Sequence, residues 1–189
     1  MVASEWEEEV VKNYEGLPEA SWSDGVLTIS VSAPTFNQYP AKAWWSRNAP
    51  KIMAGSAYTM EVDLRVSGGL NGNVLVGLNA RHNEGHPNWF QQWHAFGSPG
   101  LDVYYGDWTE HNCVSDVRAD EKWHSVRLVW DGFDTLEYWI EGVLVCTQAR
   151  TYQDVLLATE KQTFRVYVER YPDPEGPIYI IQIRNFQVR

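Results

Sequence analysis

The segment that most constrains the fold runs from Trp123 to Cys146, and its apolar residues recur at every second position. This is the period of a β-strand with one buried face, and the pairs Asp131-Gly132 and Glu141-Gly142 interrupt it. An acidic residue followed by glycine favours a tight primed turn, because glycine readily adopts the positive φ that such a turn needs. The segment therefore predicts three antiparallel strands. Their predicted buried residues are Val126, Leu128, Trp130, Leu136, Tyr138 and Ile140.

The same alternation recurs along most of the chain. The further segments are Leu27–Val31, Tyr58–Val66, Val74–Ala80, Phe164–Val168 and Ile178–Val188. Asp24-Gly25 predicts a turn before the first of these segments. Glycine and asparagine-glycine turns between the second and third segments predict a hairpin. Regularly spaced short strands with almost no helix predict an all-β fold, in which two antiparallel sheets pack as a sandwich.

The length of 189 residues is enough to bury one core, and we expect residues 1–189 to form a single β-sandwich domain. Ser4 and Glu7 fit a capping box, which predicts a short helix in an N-terminal extension, residues 1–20, that packs on the sandwich. Residues 151–161 also have helical propensity. Helix is therefore expected only outside the strands.

The formal net charge of −10 makes polyanionic partners unfavourable. It repels phosphate backbones and anionic bilayers, and no apolar run has the length of a membrane span, so we expect neither nucleic-acid binding nor membrane insertion. The N-terminus lacks the features of a signal peptide, which indicates a cytoplasmic protein or a domain excised from a secreted parent. We interpret Cys113 and Cys146 as small buried apolar residues, with one disulfide as the alternative.

The segment from Trp123 to Val145 reads W-H-x-V-x-L-x-W-D-G and then L-E-Y-W-I-E-G-V-L-V. It resembles a segment shared by laminin-G-like domains and family-16 glycoside hydrolases of the concanavalin A-like lectin/glucanase superfamily. The resemblance implies a jelly-roll sandwich. Because this architecture hosts sugar binding, sugar cleavage and protein docking alike, the resemblance supports the fold more than any one activity.

The segment from Arg81 to Asn112 departs from the alternation and holds four of the five histidines and seven aromatic residues. We interpret residues 81–112 as long functional loops around two short strands, Trp89–Phe96 and Leu101–Tyr105. Indoles beside amides are typical of a sugar-binding surface, because the rings stack on pyranose faces and the amides bind hydroxyl groups. The alternative is that these aromatics pack as a small core of their own. The candidate ligand-binding residues are Arg81, Trp89, Gln91, Gln92, Trp93, His94, Trp108 and Trp139.

Odd-numbered residues of the predicted strands should form an outer sheet surface. These residues are Glu61, Asp63, Arg65, Asn79, Arg81, Arg127, Glu137 and Trp139. The resemblance to family-16 hydrolases implies a catalytic strand E-x-D-x-E there, and the nearest match is the segment from Glu61 to Arg65. Its final arginine removes the acid/base, because a guanidinium donates no proton at neutral pH. The alternative catalytic set is Glu61, Asp63 and Glu137, and the sequence leans towards a protein that is not an enzyme.

The sequence requires no metal or other cofactor. His82 and His86 have the spacing of a zinc pair on a helix, but Gly85 and Pro87 oppose a helix there. The resemblance implies that calcium is the metal to consider. The candidate calcium ligands are Asp173 with Glu175, or Asp102 with Asp107.

These observations favour a non-catalytic, lectin-like, carbohydrate-binding domain that uses exposed tryptophans in a groove. The groove is expected to join Arg81–Asn112 to the outer surface of the Glu137–Trp139 strand, and the expected partner is an oligosaccharide or polysaccharide. Two alternatives remain. One is a polysaccharide-active glycoside hydrolase or lyase of the same fold, and the other is a laminin-G-like protein-interaction domain.

Overall fold

The computed structural model describes residues 7–10, 19–31, 41–48, 56–67, 72–78, 92–95, 101–105, 111–114, 121–149, 163–170 and 178–189. Within these ranges the regular secondary structure is all β-strand. The strands are β1 (Glu7–Val10), β2 (Glu19–Ser23), β3 (Val26–Val31), β4 (Ala41–Asn48), β5 (Tyr58–Ser67), β6 (Gly72–Leu78), β7 (Gln92–Ala95), β8 (Leu101–Tyr105), β9 (His111–Val114), β10 (His124–Trp130), β11 (Thr135–Ile140), β12 (Val143–Ala149), β13 (Thr163–Arg170) and β14 (Tyr179–Val188).

The strands form two seven-stranded sheets in which neighbouring strands run antiparallel. The first sheet has the order β1-β4-β13-β6-β7-β8-β9, and the second has the order β12-β11-β10-β5-β14-β3-β2. The predicted meander is β10-β11-β12, at one edge of the second sheet. This architecture confirms the predicted all-β sandwich.

The hydrophobic core lies between the two sheets. Alternate residues of β3, β5, β10 and β11 are buried, and all six residues predicted to be buried in the meander are among them. Trp45 of β4 and Val166 of β13 belong to the same cluster, so the first sheet packs against this face of the second. Trp45 is one of the largest fully buried side chains of this cluster.

Two tight turns use the acidic-glycine pairs as predicted. Asp24 and Gly25 join β2 to β3 with φ of 51° and 76°, and Glu141 and Gly142 join β11 to β12 with φ of 51° and 75°. A positive φ at both central residues is the requirement of a type I′ hairpin turn, whose twist matches that of the flanking strands. The predictions at these two positions are confirmed.

The predicted tight turn at Asp131-Gly132 is instead a longer loop, through residue 134. The Asp131 carboxylate Oδ1 accepts hydrogen bonds from the backbone N–H groups of Phe133, Asp134 and Thr135 at 2.8, 3.0 and 3.1 Å. The side chain of Asp131 therefore satisfies the loop donors that a two-residue turn would not have exposed. Asp131-Gly132 is the same kind of acidic-glycine pair as Glu141-Gly142, but it begins a longer connection between its two strands.

The predicted hairpin between Tyr58–Val66 and Val74–Ala80 is wrong, because β5 and β6 lie in different sheets. β5 pairs with β10 and β14, whereas β6 pairs with β13 and β7. Both strands have the alternation of a half-buried strand, and the turn residues between them serve equally well for a connection that crosses the sandwich. Local sequence does not distinguish the two, because the pairing partners are distant in the chain.

The N-terminal helix predicted from Ser4 is wrong for residues 7–10, which form β1. β1 pairs antiparallel with β4, from Glu7 opposite Ser46 to Val10 opposite Ala43. Pairing to an otherwise open sheet edge outweighs the few tenths of a kcal/mol per residue by which helix propensities differ. The helical prediction for residues 151–161 lies outside the described residues.

Cys146, in β12, is disulfide-bonded, which overturns its interpretation as a buried apolar thiol. The sequence contains one other cysteine, Cys113, which lies in β9. β9 is an edge strand of the first sheet, β12 is an edge strand of the second, and the two strands are in contact. The bond therefore ties the two sheets together at one side of the sandwich.

Substitution of Trp130 by alanine should test the packing of the core. The indole is fully buried, and emptying such a site costs about 3 to 5 kcal/mol of unfolding free energy. Val129→Ala is the matched control. Val129 is the residue before Trp130, and its half-buried side chain faces away from the core. Denaturant melts in which both variants lose the same small amount would show that the buried face is assigned to the wrong residues.

The loop carboxylate of Asp131 should make stability depend on acid pH. Desolvation raises the pKa of Asp131, but hydrogen bonds from Phe133, Thr135 and Asp134 have the larger effect. The pKa of Asp131 is therefore lowered from its usual value. A lowered folded-state pKa adds stability above the unfolded value, and this is lost as the pH falls through the folded value. Asp131→Asn should therefore be less stable than the parent at pH 7, with the gap closing below about pH 4. A gap that stays constant from pH 7 to pH 3 in denaturant melts would contradict this.

Candidate functional site

The candidate site is the surface of the second sheet opposite the core, which we call the outer face. It carries the half-buried side chains of β5, β10 and β11 that alternate with the buried ones. Six of the eight residues predicted for such a surface lie there, and Asn79 and Arg81 lie outside the described residues. The six are Glu61, Asp63, Arg65, Arg127, Glu137 and Trp139.

Trp139 stands on the outer face in a fixed orientation. Its indole Nε1 donates a hydrogen bond of 2.9 Å to Oε2 of Glu137, two residues earlier in β11. Arg127, directly opposite in β10, places its Cζ 4.6 Å from the centre of the indole ring. A guanidinium over an aromatic face is attracted by the ring quadrupole. The ring is therefore held by partners on two strands.

A register shift between Tyr138 and Trp139 brings Leu144 of β12 opposite the indole. The Leu144 side chain is exposed. Trp139 therefore has a cation on one side, in β10, and an exposed apolar side chain on the other, in β12. At the edge formed by β10, β11 and β12, the outer face therefore carries both apolar and charged groups.

Glu61 lies across from Arg127 in the pairing of β5 with β10, yet it binds another partner. Nη2 of Arg189 lies 2.7 Å from Oε2 of Glu61 and donates a hydrogen bond to it. Reciprocal backbone hydrogen bonds between Arg189 and Thr59 hold Arg189 beside β5. Arg189 thereby becomes part of the outer face.

Asp63 is held by two side chains from β14. Its Oδ2 accepts hydrogen bonds from Nε of Arg184 at 3.1 Å and from Nδ2 of Asn185 at 2.7 Å. The pairing of β14 with β5 shifts register between Arg184 and Gln187, and Asn185 within this irregularity has φ of 55°. Asparagine tolerates this left-handed backbone better than most residues, and here it directs the amide to Asp63.

Trp123 is a residue of this surface to which the sequence analysis gave no role. The side chain is half-buried, and Cζ of Arg184 lies 4.0 Å from the centre of its ring. The sequence did indicate that Trp123 faces away from the core, because it is odd-numbered like Ser125 and Arg127. Arg184 could not have been found in this way, since only the pairing of β14 with β5 brings it to Asp63.

The predicted binding residues of the histidine-rich segment fall in the first sheet or outside the described residues. Gln92, Trp93 and His94 lie in β7, between β6 and β8. Trp139 lies in the second sheet, and its outer face points away from the first. A groove that unites the two parts stays a prediction. The residues outside the description are Arg81, Trp89, Gln91 and Trp108.

The structure describes a strand at each of the two predicted strand positions of the histidine-rich segment. Residues 89–91 and 96, at the ends of the first predicted strand, lie outside the described residues. The predicted strands Trp89–Phe96 and Leu101–Tyr105 correspond to β7, Gln92–Ala95, and β8, Leu101–Tyr105. A third strand, β9, was not predicted. Its four residues are too few for an alternation to be recognised.

The described residues contain no group of three or more histidine, cysteine, aspartate or glutamate side chains that could hold a metal ion. Of the candidate calcium ligands, Asp102 lies in β8 opposite His94 and Val114. Asp107, Asp173 and Glu175 lie outside the described residues, as do His82 and His86. Calcium therefore stays a prediction from the resemblance.

Tyr58 is the titratable group most strongly perturbed in the described part of the chain. Burial, and then the nearby phenol of Tyr138, raise its pKa well above the usual range. Both tyrosines belong to the core cluster. They therefore remain neutral packing residues, and the perturbation does not mark a catalytic base.

Among the segments that the structure describes, none is a helix with the length and apolar character of a membrane span.

The three carboxylates of the alternative catalytic set are each engaged by a neighbouring side chain. Glu61 is paired with Arg189, Asp63 with Arg184 and Asn185, and Glu137 accepts the indole N–H of Trp139. Each carboxylate of the alternative catalytic set thus serves to orient a neighbouring side chain. Planar and hydrogen-bonding groups on a rigid sheet are the elements of a recognition surface.

In sequence, the chain matches no known family and no curated protein. In structure it is similar to the carbohydrate recognition domain of Emp47p, with a TM-score of 0.58 and 12% identity over 96% of this chain and 89% of that one. It is also similar to a carbohydrate esterase, vb_24B_21, from the Shiga toxin-encoding bacteriophage phi24B, with a TM-score of 0.54 and 14% identity over 95% and 88%.

A third similar structure is the binding domain of botulinum neurotoxin DC in complex with rat synaptotagmin II. Its TM-score is 0.55 and its identity 12%, over 97% of this chain and 43% of that one. At such identities the likeness concerns the fold. These comparisons therefore agree with the two-sheet antiparallel β-sandwich and do not identify an activity.

Proposed function

We propose that the chain is a non-catalytic, carbohydrate-binding, lectin-like domain. The observation that supports this most directly is Trp139, an indole held on the outer face by Glu137 and Arg127. The fold that the chain shares with the Emp47p carbohydrate recognition domain agrees with the proposal.

The physical basis of the proposed binding is stacking on a preorganised platform. An indole stacks on the apolar face of a sugar ring, and hydroxyl groups around that ring need hydrogen-bond partners. Because Trp139 is already held by two neighbours, little rotamer freedom remains to be lost when a ligand binds. The polar side chains around it then select the ligand.

The histidine-rich segment is the proposed second part of the binding surface. Its indoles, Trp89, Trp93 and Trp108, accompany the amides of Gln91 and Gln92. The backbone of β7 lies between two other strands of the first sheet, which gives Trp93 a rigid base. We propose that this segment extends recognition beyond a single sugar ring.

Glycan binding should weaken when the platform is removed. Trp139→Ala should lower affinity for a bound glycan roughly tenfold, because a stacked indole contributes about 1 to 1.5 kcal/mol. A glycan array would identify the ligand, and titration calorimetry would measure the change. Phe133→Ala is the control, since Phe133 is an exposed aromatic in the loop between β10 and β11 and is 76% exposed.

Trp93→Ala tests the second part of the surface separately and should weaken binding by a similar factor. Both tryptophan variants should keep the melting temperature of the parent within a few degrees. If Trp139→Ala and Trp93→Ala bind as the parent does, the tryptophans are structural and the proposed surface is wrong.

The non-catalytic part of the proposal depends on Arg65. A retaining glycosidase needs a nucleophile and a protonated carboxyl group about 5 to 5.5 Å apart. Arg65 occupies the place of the acid, and Arg184 and Asn185 hold Asp63. The outer face of the described strands therefore presents no carboxyl group free to act as the proton donor.

Purified protein should not release reducing sugar from common β-glucans. The reason is the replacement of the general acid by Arg65, which no change of pH near neutrality restores. Reducing-sugar assays over several hours with a family-16 hydrolase as positive control would test this. Release that disappears in Glu61→Gln would show that the outer face is catalytic after all.

A further inference from the structure

Two arginines on the outer face stand out because no carboxylate of the described residues neutralises them. Arg65 and Arg127 are half-buried, and in the part of the chain that the structure describes neither guanidinium forms an ion pair. Nε of each lies out of contact with solvent and has no hydrogen-bond acceptor. The single described partner of Arg127 is the ring of Trp139.

Carboxylates lie close to both arginines along the sheet, but these carboxylates form ion pairs with other residues. Glu61 is opposite Arg127 in the sheet and binds Arg189 at 2.7 Å. Asp63 is two residues from Arg65 and binds Arg184 at 3.1 Å. The outer face therefore keeps its two half-buried guanidinium groups available while its acidic groups are occupied.

This arrangement is unusual in a chain whose net charge is −10. A half-buried cation without a counterion costs free energy, and native proteins rarely keep such a group without a use. Only Nε of each arginine is buried without a partner, so the Nη groups are the donors that a ligand would reach. At physiological salt an exposed charge is screened beyond about 8 Å, so the overall negative charge does not determine what binds next to these arginines. The local surface is suited to an anion.

We propose that the outer face of the second sheet binds an anionic saccharide, with its carboxylate or sulfate groups held by Arg65 and Arg127. The inference rests on the proposed carbohydrate-binding function and names its ligand class. A guanidinium presents planar donors that match a carboxylate bidentately, and its charge also suits a sulfate.

The positions of the two arginines favour an oligosaccharide over a single sugar. Arg127 is aligned with Glu61, and Arg65 lies four residues further along β5. At the rise of a β-strand this separates them by about 13 Å along the sheet, which is longer than one sugar ring. Each has an indole nearby, Trp139 beside Arg127 and Trp123 next to the end of β10 that pairs near Arg65.

Matched ligands separate charge recognition from sugar recognition. The first pair is an oligogalacturonate and its methyl ester, which differ in the carboxylate charge and share the sugar backbone. The second pair is a sulfated galactan oligosaccharide and its desulfated form. Titration calorimetry of the full chain against all four, together with a neutral glycan array, gives the affinities.

We expect at least one charged ligand to bind ten times more tightly than its neutral partner. Arg65→Gln and Arg127→Gln should each weaken binding of that charged ligand about tenfold. Arg65→Gln should leave the neutral partner unaffected, whereas Arg127→Gln should also weaken the neutral partner, but less, because Arg127 holds the Trp139 ring. Lys42→Gln removes the same charge from β4, in the first sheet, and should have no such effect. Circular dichroism checks that each variant is folded.

The outcomes distinguish this inference from the proposed function. If charged and neutral partners bind equally, or if glycans on the array bind while both charged ligands fail, the chain is a lectin and the anionic specificity is wrong. Loss of affinity in Lys42→Gln equal to that in the two arginine variants would also overturn it, because net charge alone would be responsible. If no glycan of any kind binds, the proposed function itself fails.

Discussion

The packing of one sheet face against the other is the constraint on which the rest of this structure depends. Trp45 and Val166 of the first sheet share a buried cluster with alternate residues of the second, including Trp130 and Tyr138. Because a strand has a side-chain period of two, the same packing sends every odd residue of β5, β10 and β11 to the outer face. A slip of one register position would place the charged residues in the core, so core and candidate site are specified together.

The ion pairs of the outer face orient side chains more than they stabilise the fold. The Arg189 side chain is 67% exposed in its pair with Glu61, and exposed pairs contribute about 0 to 1 kcal/mol. Their geometric effect is larger. They occupy Glu61 and Asp63, which would otherwise be the natural partners of Arg127 and Arg65, so the weak pairs decide which charges remain available to a ligand.

Sequence alone predicted what depends on neighbouring residues and missed what depends on distant ones. The meander, its buried residues and the turns at Asp24-Gly25 and Glu141-Gly142 follow from local alternation and glycine chemistry. The separation of β5 from β6, the pairing of β1 with β4 and the disulfide at Cys146 depend on contacts across the chain. The candidate site divides likewise, since parity placed Trp139 on the outer face whereas only the sheet order brought Arg184 to Asp63.

The side chains of the outer face, and not the fold, carry the functional argument. The sandwich is shared with proteins of different activities at 11 to 14% identity, so its strands serve as a scaffold. On this scaffold Arg65 has a dual consequence. In the two proposals, it stands in the place of the acid that glycoside cleavage would require, and it adds a cation that forms no ion pair among the described residues. The same residue thus disfavours a hydrolase and favours recognition of an anionic ligand, which joins the two proposals through one position in β5.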